Sequence, residues 1–345
     1  MKAALVCDGT QLIIPESMGQ PKKGQLSGSM HDNLGELCSR ICYDSLGKGR
    51  SSIELHNHIK EIRNHSIYEH INITVNLNIS PWILINCLIN RKGIWIELGD
   101  KGTEVTANMR ALLEWDQYSR GLNLDCHTKL LGDVLKYHAH QMCPLIIDEP
   151  TNNAWFEVSQ VKPLDTLSRD QAWVSMYLYG SRGFTHEQVR HRFAMSQRST
   201  RYVDESDSDY IIHPLITQFL DGQDNDTKTA IEMSRRQDRY TYDLLVKELG
   251  TYLESRGMDR TSARKQARGA ARGFLGNALA SEMIFSAPVS GWLWMLNQRK
   301  NRLADAEIRE IYTFVLEELQ QSIYGHYFSH LLLVPSPDGI GTVLL

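Results

Sequence analysis

Hydrophobic and polar positions set out the elements of this chain before any single residue does. From Leu34 to Ser45, apolar side chains recur at Leu34, Leu37 and Ile41, the spacing of one helix face. Ser52–Arg63 has the same character, after a polar loop at Gly47–Ser52. Ile71–Ile79, INITVNLNI, alternates strictly between apolar and Asn/Thr side chains and predicts a strand with one buried face. Trp173–Tyr179, WVSMYLY, predicts a second strand. A helix is expected from Thr185 to Phe193, with Glu187 and Gln188 in its first turn. Ala107–Trp115 and Leu124–Met142 are further helices, and Asp148–Asp165 is loop-like. Long periodic segments at Thr227–Leu249, Thr261–Ile284 and Leu303–Tyr324 make the last third helical, punctuated by Pro288 and Gly291. Residues 1–27 form a Gly/Pro-interrupted lead, and the closing PSPDGIGTVLL is a tail.

Composition narrows the class. A 42% hydrophobic chain with 23% charged residues can build a sizeable core. Its net charge of −4 lacks the basic excess of a general nucleic-acid binder. The most apolar run, Pro81–Ile89, is cut short by Arg91 and Lys92 before it could span a bilayer. With no signal-peptide core at the N-terminus, the expectation is a cytoplasmic protein without a membrane partner. Six cysteines at positions 7, 38, 42, 87, 126 and 143 form no CxxC, which favours reduced thiols over a disulfide framework. Cys126, His127, His138, His140 and Cys143 fit no standard zinc spacing, so no metal site is assigned.

The densest chemistry lies in Arg190–Tyr202, RHRFAMSQRSTRY. Four arginines sit beside His191, Ser196, Gln197, Ser199 and Thr200. Guanidinium groups grip phosphate through paired donors, and the neutral side chains suit a sugar or a base edge. A solvated basic loop is the competing reading. Arg260, Arg264, Arg268 and Arg272 recur every four residues as a helix stripe, which is either a solvated face or an anion surface. Arg272, among Ala270, Ala271, Phe274 and Leu275, is expected to be partly buried and in need of a partner. The acidic run Asp204–Asp209 is a solvated loop or a clamp on neighbouring arginines.

This string, preceded by SRGFTHEQV, resembles the signature of the flavin-dependent thymidylate synthases, the ThyX family. Asn64–His70, NHSIYEH, resembles that family's H-x-S/T-x-x-E-H segment. Ser39–Ser45, SRICYDS, resembles the helix end that touches flavin. Arg272 and Arg299 match the separation of two nucleotide-gripping arginines, and Ala304, Glu307 and Ile308 are close to its A-x-x-E-I pattern. The resemblance covers residues 31–75 and 172–312. It implies an α+β fold, a ThyX-like core with a central antiparallel sheet flanked by long helices, plus an inserted subdomain. The corresponding division is 1–75 core, 76–171 insertion, 172–330 core and 331–345 tail.

By the same resemblance, Arg190, His191, Arg192, Gln197, Ser66 and Glu69 would hold FAD. Ser199, Arg201, Arg272 and Arg299 would hold dUMP, and Glu187 or Gln188 would face the uracil or the flavin. His191, Tyr68 and Tyr202 could wall the ring. NADPH and methylenetetrahydrofolate would be co-substrates, no protein nucleophile is expected, and the chain would form a homotetramer with sites shared between subunits. The sequence also departs from the family pattern. The loop after Arg192 is one residue short, and Arg198 replaces an acidic or apolar residue. VSGWLWMLNQR lacks the family's N-x-R-x-L. ANMRALLEW at Ala107–Trp115 resembles that missing segment, so Asn108 and Arg110 are a relocated flavin contact, a trace of a rearranged repeat, or an ordinary helix. Alkylation of another pyrimidine nucleotide and an inactive nucleotide-binding homologue stay open as alternatives.

Overall fold

The computed structural model describes residues 1–78, 80–82, 92–99, 102–119, 126–150, 159–221 and 225–345. Cys87 and most of the apolar run at 81–89 lie outside the described residues, as do the side chains of Cys126 and His127. The fold is α+β, built on two four-stranded antiparallel sheets.

The first sheet holds β1 (Lys2–Cys7), β6 (Trp173–Ser181), β8 (Ala280–Pro288) and β7 (Ala194–Gln197), in the order β1-β6-β8-β7. The second holds β2 (Asn72–Leu77), β3 (Ile94–Gly99), β4 (Gly102–Asn108) and β5 (Ser159–Val161), in the order β3-β4-β2-β5. Helices α1 (Met30–Tyr43) and α2 (Ser52–Glu61) open with reciprocal capping boxes, Ser29 with Asp32 and Ser51 with Glu54. Then come α3 (Met109–Ser119), α4 (Cys126–Met142), α5 (Arg182–Gln188), α6 (Pro214–Leu220), α7 (Asn225–Ser255) and α8 (Arg260–Ala271). After β8 the chain forms α9 (Val289–Arg299) and α10 (Ala306–Gln321).

Two cores flank the first sheet. Tyr177 and Ile284 face one, with α1, α2 and the second sheet. Met176, Leu178, Met283, Phe285 and Ala287 face the other, with α9 and α10. This arrangement explains the largest departure from the sequence reading. Thr261–Ile284 is not one helix: α8 stops at Ala271, a 3-10 turn takes Arg272–Phe274, and β8 runs down the centre of the sheet. A strand buried on both faces loses the polar alternation that distinguishes strand from helix.

Smaller corrections share that origin. The lead contains β1, an edge strand against β6. The helix expected at Thr185 opens at Arg182, where the Ser181 hydroxyl caps the Phe184 amide, and it ends at Gln188. The third long helix starts at Ala306, capped by Asp305. The C-terminal tail is a hairpin, β9 (Leu333–Pro335) against β10 (Thr342–Leu344). It is anchored where the buried Lys300 ammonium donates to the Thr342 carbonyl at 2.6 Å and the Arg309 carbonyl at 3.0 Å. No described helix is long and apolar enough to cross a membrane.

Candidate flavin and nucleotide site

The 190–202 segment starts where α5 runs out. A 3-10 turn takes Val189–His191, Arg192 adopts the left-handed conformation at φ 63°, and β7 follows. The left-handed residue turns the chain sharply, which leaves Arg190 and Arg192 exposed on the bend. Neither guanidinium makes a hydrogen bond or ion pair among the described residues. Beyond β7, a tight turn is closed by the Tyr202 and Val203 amides on the Ser199 carbonyl, each at 3.0 Å. Arg201 and Tyr202 are exposed on it.

The arginine stripe divides by function. Arg268 is a clamp: it donates to the Tyr202 carbonyl at 2.7 Å and pairs with Asp204. Arg198 is another, 3.6 Å from the buried Glu205 and hydrogen-bonded to Ser208. The acidic run therefore ties down the turn from both sides. Arg272 corrects the expectation, because it lies past the end of α8 and is exposed rather than partly buried. It makes no ion pair among the described residues. Its charge instead reaches Arg182, a half-buried arginine whose pKa is lowered by burial first and by Arg272 second. The buried Glu205 carboxylate offsets part of this effect, and an anion bound near both guanidiniums would favour their charged forms further. Arg182, within the SRGFTHEQV string, was not singled out from the sequence, because adjacency to Arg272 is created only by the fold.

Arg299 sits in a different environment. Its Nη1 donates to Glu187 at 2.7 Å, and its Nε donates to His191 Nε2 at 2.9 Å. Burial, then the Arg299 charge, lowers the His191 pKa to about 4. The ring is thus neutral at pH 7, accepts at Nε2 and carries its proton on Nδ1. Trp294 packs edge-on against it at 5.3 Å. Gln188, the alternative to Glu187, is buried against Met295 and accepts from the Tyr312 hydroxyl at 2.9 Å. Glu187 is the one of the pair on the site side.

The upstream segment docks directly on this region. His70 is buried, with its ring nitrogens 3.0 Å from Ser196 Oγ and 2.7 Å from Ser286 Oγ. Ser66 is exposed, and Glu69 is half-buried and paired with Arg110 at 2.5 Å. Tyr68 is not a flat wall for a ligand: it is fully buried, with its hydroxyl 2.7 Å from His56 Nδ1. Tyr43, at the end of α1, packs edge-on to Tyr202 at 4.8 Å. The Ser199 amide donates to the Cys42 carbonyl at 3.0 Å. Gln197 holds Thr185 and Ser281, each at 3.0 Å. Among the described residues, no cluster of three or more His, Cys, Asp and Glu is placed to hold a metal ion.

Comparison with known proteins adds a second line. The family model described as "Thymidylate synthase complementing protein", Thy1, matches residues 170–323. A flavin-dependent thymidylate synthase of Corynebacterium efficiens is 34% identical over 226 residues, which is 63% of this chain and 84% of that protein. One from Corynebacterium glutamicum is 34% identical over 208 residues, 57% of this chain and 80% of that protein. Another from Mycobacterium marinum is 37% identical over 155 residues, 44% and 58% of the two chains.

Proposed function

The chain belongs to the flavin-dependent thymidylate synthase family, and on that premise we propose that it catalyses the reductive methylation of dUMP to dTMP. The observation that carries the reading is the set of exposed guanidiniums, unpaired among the described residues, at Arg190, Arg192, Arg201 and Arg272, with the charge of Arg272 felt at Arg182. A protein neutralises its structural arginines, and these stand ready for phosphate.

FAD fits this donor set. Its diphosphate suits Arg190 and Arg192, and the isoalloxazine ring suits the aromatic surface of Tyr43, Tyr202 and Trp294. Ser66, Glu69, His191 and Gln197 are the further candidate contacts. When bound, the flavin supplies the hydride, with NADPH as its reductant and methylenetetrahydrofolate as the carbon donor. The chain's own part is positioning and charge. Arg201, Arg272 and Ser199 hold the dUMP phosphate and sugar. Arg299, oriented by Glu187 and His191, faces the pyrimidine and stabilises negative charge on its carbonyls as C5 becomes nucleophilic. Neutral His191 does not repel that arginine, and its Nδ1 proton is free to donate. We also propose self-association, as the family resemblance implies.

Nothing in the relatives favours alkylation of a different pyrimidine or an inactive homologue. A visible absorption spectrum tests the reading: purified protein should carry oxidised flavin, bleached by NADPH and reoxidised in the presence of dUMP and methylenetetrahydrofolate. Protein that stays colourless and takes up no FAD overturns it.

A further inference from the structure

Lys300 is a fully buried cation that the reading above does not use. Its ammonium has no carboxylate partner among the described residues. It shares its three protons among four neutral oxygens. These are the Thr342 carbonyl at 2.6 Å, the Thr342 hydroxyl at 2.7 Å, the Thr313 hydroxyl at 2.8 Å and the Arg309 carbonyl at 3.0 Å. Burial, and then the Arg309 charge, pushes its pKa down to about 8, while Glu317 and Glu310 oppose this without forming an ion pair. A buried charge without a counter-ion is costly, and an apolar side chain in its place would avoid that penalty. Arg40 and Arg309, buried as deeply, each have a carboxylate. A residue that breaks this rule calls for a reason beyond packing.

Its position supplies one. Lys300 is the C-cap of α9, directly after Arg299. The last turn of a helix leaves carbonyls without partners and tends to fray. Here the Lys300 amide donates to the Leu296 carbonyl at 2.9 Å, and the Lys300 carbonyl accepts from the Leu344 amide at 3.0 Å. Backbone and ammonium of one residue thus both engage β10. The hairpin is tied a second time through Asp338, in the turn between β9 and β10, which pairs with Arg309 of α10 at 2.7 Å.

The same α10 braces the other side of the site. At the start of α5, Glu307 accepts from the Ser181 amide at 2.6 Å and from the Ser181 hydroxyl at 2.7 Å. At the end of α5, the Tyr312 hydroxyl donates to Gln188 at 2.9 Å. Glu187, on that short helix, is the carboxylate that holds Arg299. Both members of the Arg299–Glu187 pair therefore rest on α10, Glu187 through α5 and Arg299 through Lys300. A displacement of about 1 Å at the end of α9 would carry the Arg299 guanidinium away from a bound pyrimidine, and misplacement of that size is enough to impair catalysis severely.

We propose that Lys300 is a positioning residue for the reaction, and that the C-terminal hairpin, acting through it, fixes the end of α9 so that Arg299 faces the pyrimidine. This deepens the function proposed above and rests on it. Arg299 touches the substrate, whereas Lys300 and Thr342 act only through it.

Calorimetric titration of dUMP into the FAD-loaded protein tests it. Lys300→Met keeps most of the side-chain volume and removes the ammonium. It should weaken dUMP binding about tenfold and leave FAD affinity within about twofold. The discriminating readout is coupling to Arg299. In Arg299→Ala protein, whose dUMP affinity is already reduced, adding Lys300→Met should cost less than about twofold more. Losses that multiply instead would show that Lys300 acts independently of Arg299 and overturn the proposal. Unchanged dUMP affinity in Lys300→Met, whatever its melting temperature, overturns it too. So does an equal fall in affinity for dUMP and FAD, the mark of a general loosening of the fold. If Lys300→Met does not fold, Thr342→Val takes its place, because it removes a single acceptor. It should weaken dUMP about threefold in the wild-type background and leave Arg299→Ala unchanged. Wild-type dUMP affinity in Thr342→Val would then overturn the proposal. Wild-type protein that binds neither FAD nor dUMP overturns the function itself. Wild-type protein that binds both, with Lys300→Met indistinguishable from it, overturns this inference alone.

Discussion

Two groups of arginines in this molecule are treated in opposite ways. At the end of α1, Arg40 is fully buried, paired with Glu36 at 2.6 Å, and spends its remaining donors on the carbonyls of Ser45, Lys48 and Arg50. Near the C-terminus Arg309 is likewise buried, bonded to the Arg302 carbonyl and paired with Asp338 at 2.7 Å. Around the 190–201 turn and past α8, Arg190, Arg192, Arg201 and Arg272 are exposed and unpaired. A buried charge must be compensated inside the fold. A charge kept for a ligand must not be. The difference separates compensated arginines from solvent-facing ones. Arg63, Arg256, Arg260 and Arg264 are exposed too, so what marks the 190–201 turn is the concentration of such groups in a short run.

The largest effect should come from breaking the compensated set. Arg40→Ala leaves Glu36 buried without its cation, and Glu36 also accepts from Ser52 at 2.5 Å and from the Leu26 amide at 3.1 Å. A loss of about 3–5 kcal/mol is expected, measured by urea unfolding. If Arg40→Ala instead weakens dUMP binding at unchanged stability, the two groups are not distinct.

Arg272→Ala should do the reverse. Each charge-assisted hydrogen bond to phosphate is worth about 1.5–3 kcal/mol, so dUMP affinity should fall about ten- to a hundredfold. Its melting temperature should hold or rise slightly, since Arg182 loses a like-charged neighbour. Titration calorimetry and a thermal melt on the same sample check both halves of this expectation.

The contrast also explains what was legible in the sequence. Arg190–Tyr202 stood out because function concentrates unpaired basic groups in a short run, and such runs need no knowledge of the fold. The effect of Arg272 on Arg182 could not be read, because only the fold brings these distant positions within range of each other. Tyr68 was misread as a ring wall for a similar reason: aromatic residues look alike in sequence, and only packing decides which is core. β8 was misread as helix because both its faces are buried, which erases the polar alternation.

Histidines extend the comparison to groups that can change their charge. His70 is wholly buried between Ser196 and Ser286, and burial lowers its pKa to about 3. Its folded pKa lies below the unfolded value of 6.5. The unfolded chain therefore binds the proton first as pH falls. Stability is fully present above pH 6.5 and declines toward pH 3, by about 2 kcal/mol at pH 5. His70→Gln should flatten this part of the pH–stability curve. A curve of unchanged slope would show that another group sets it.

The smallest effect is expected at His191. Its folded pKa of about 4 is also lowered, by burial and by Arg299, so it stays neutral throughout the range in which the enzyme would be assayed. Glu187 and Trp294 are the other groups at the cluster, and Glu187 engages Arg299 rather than the ring. FAD affinity should accordingly show no step between pH 5 and 8 attributable to this residue, with any loss confined near pH 4, where a protonated ring would face Arg299. His191→Asn, which keeps a neutral donor and acceptor, should leave the pH profile unmoved while weakening FAD binding modestly. A step near pH 6.5 that disappears in His191→Asn would mean that the ring charges freely. It would then act as a member of the unpaired basic set rather than as the neutral acceptor that orients Arg299.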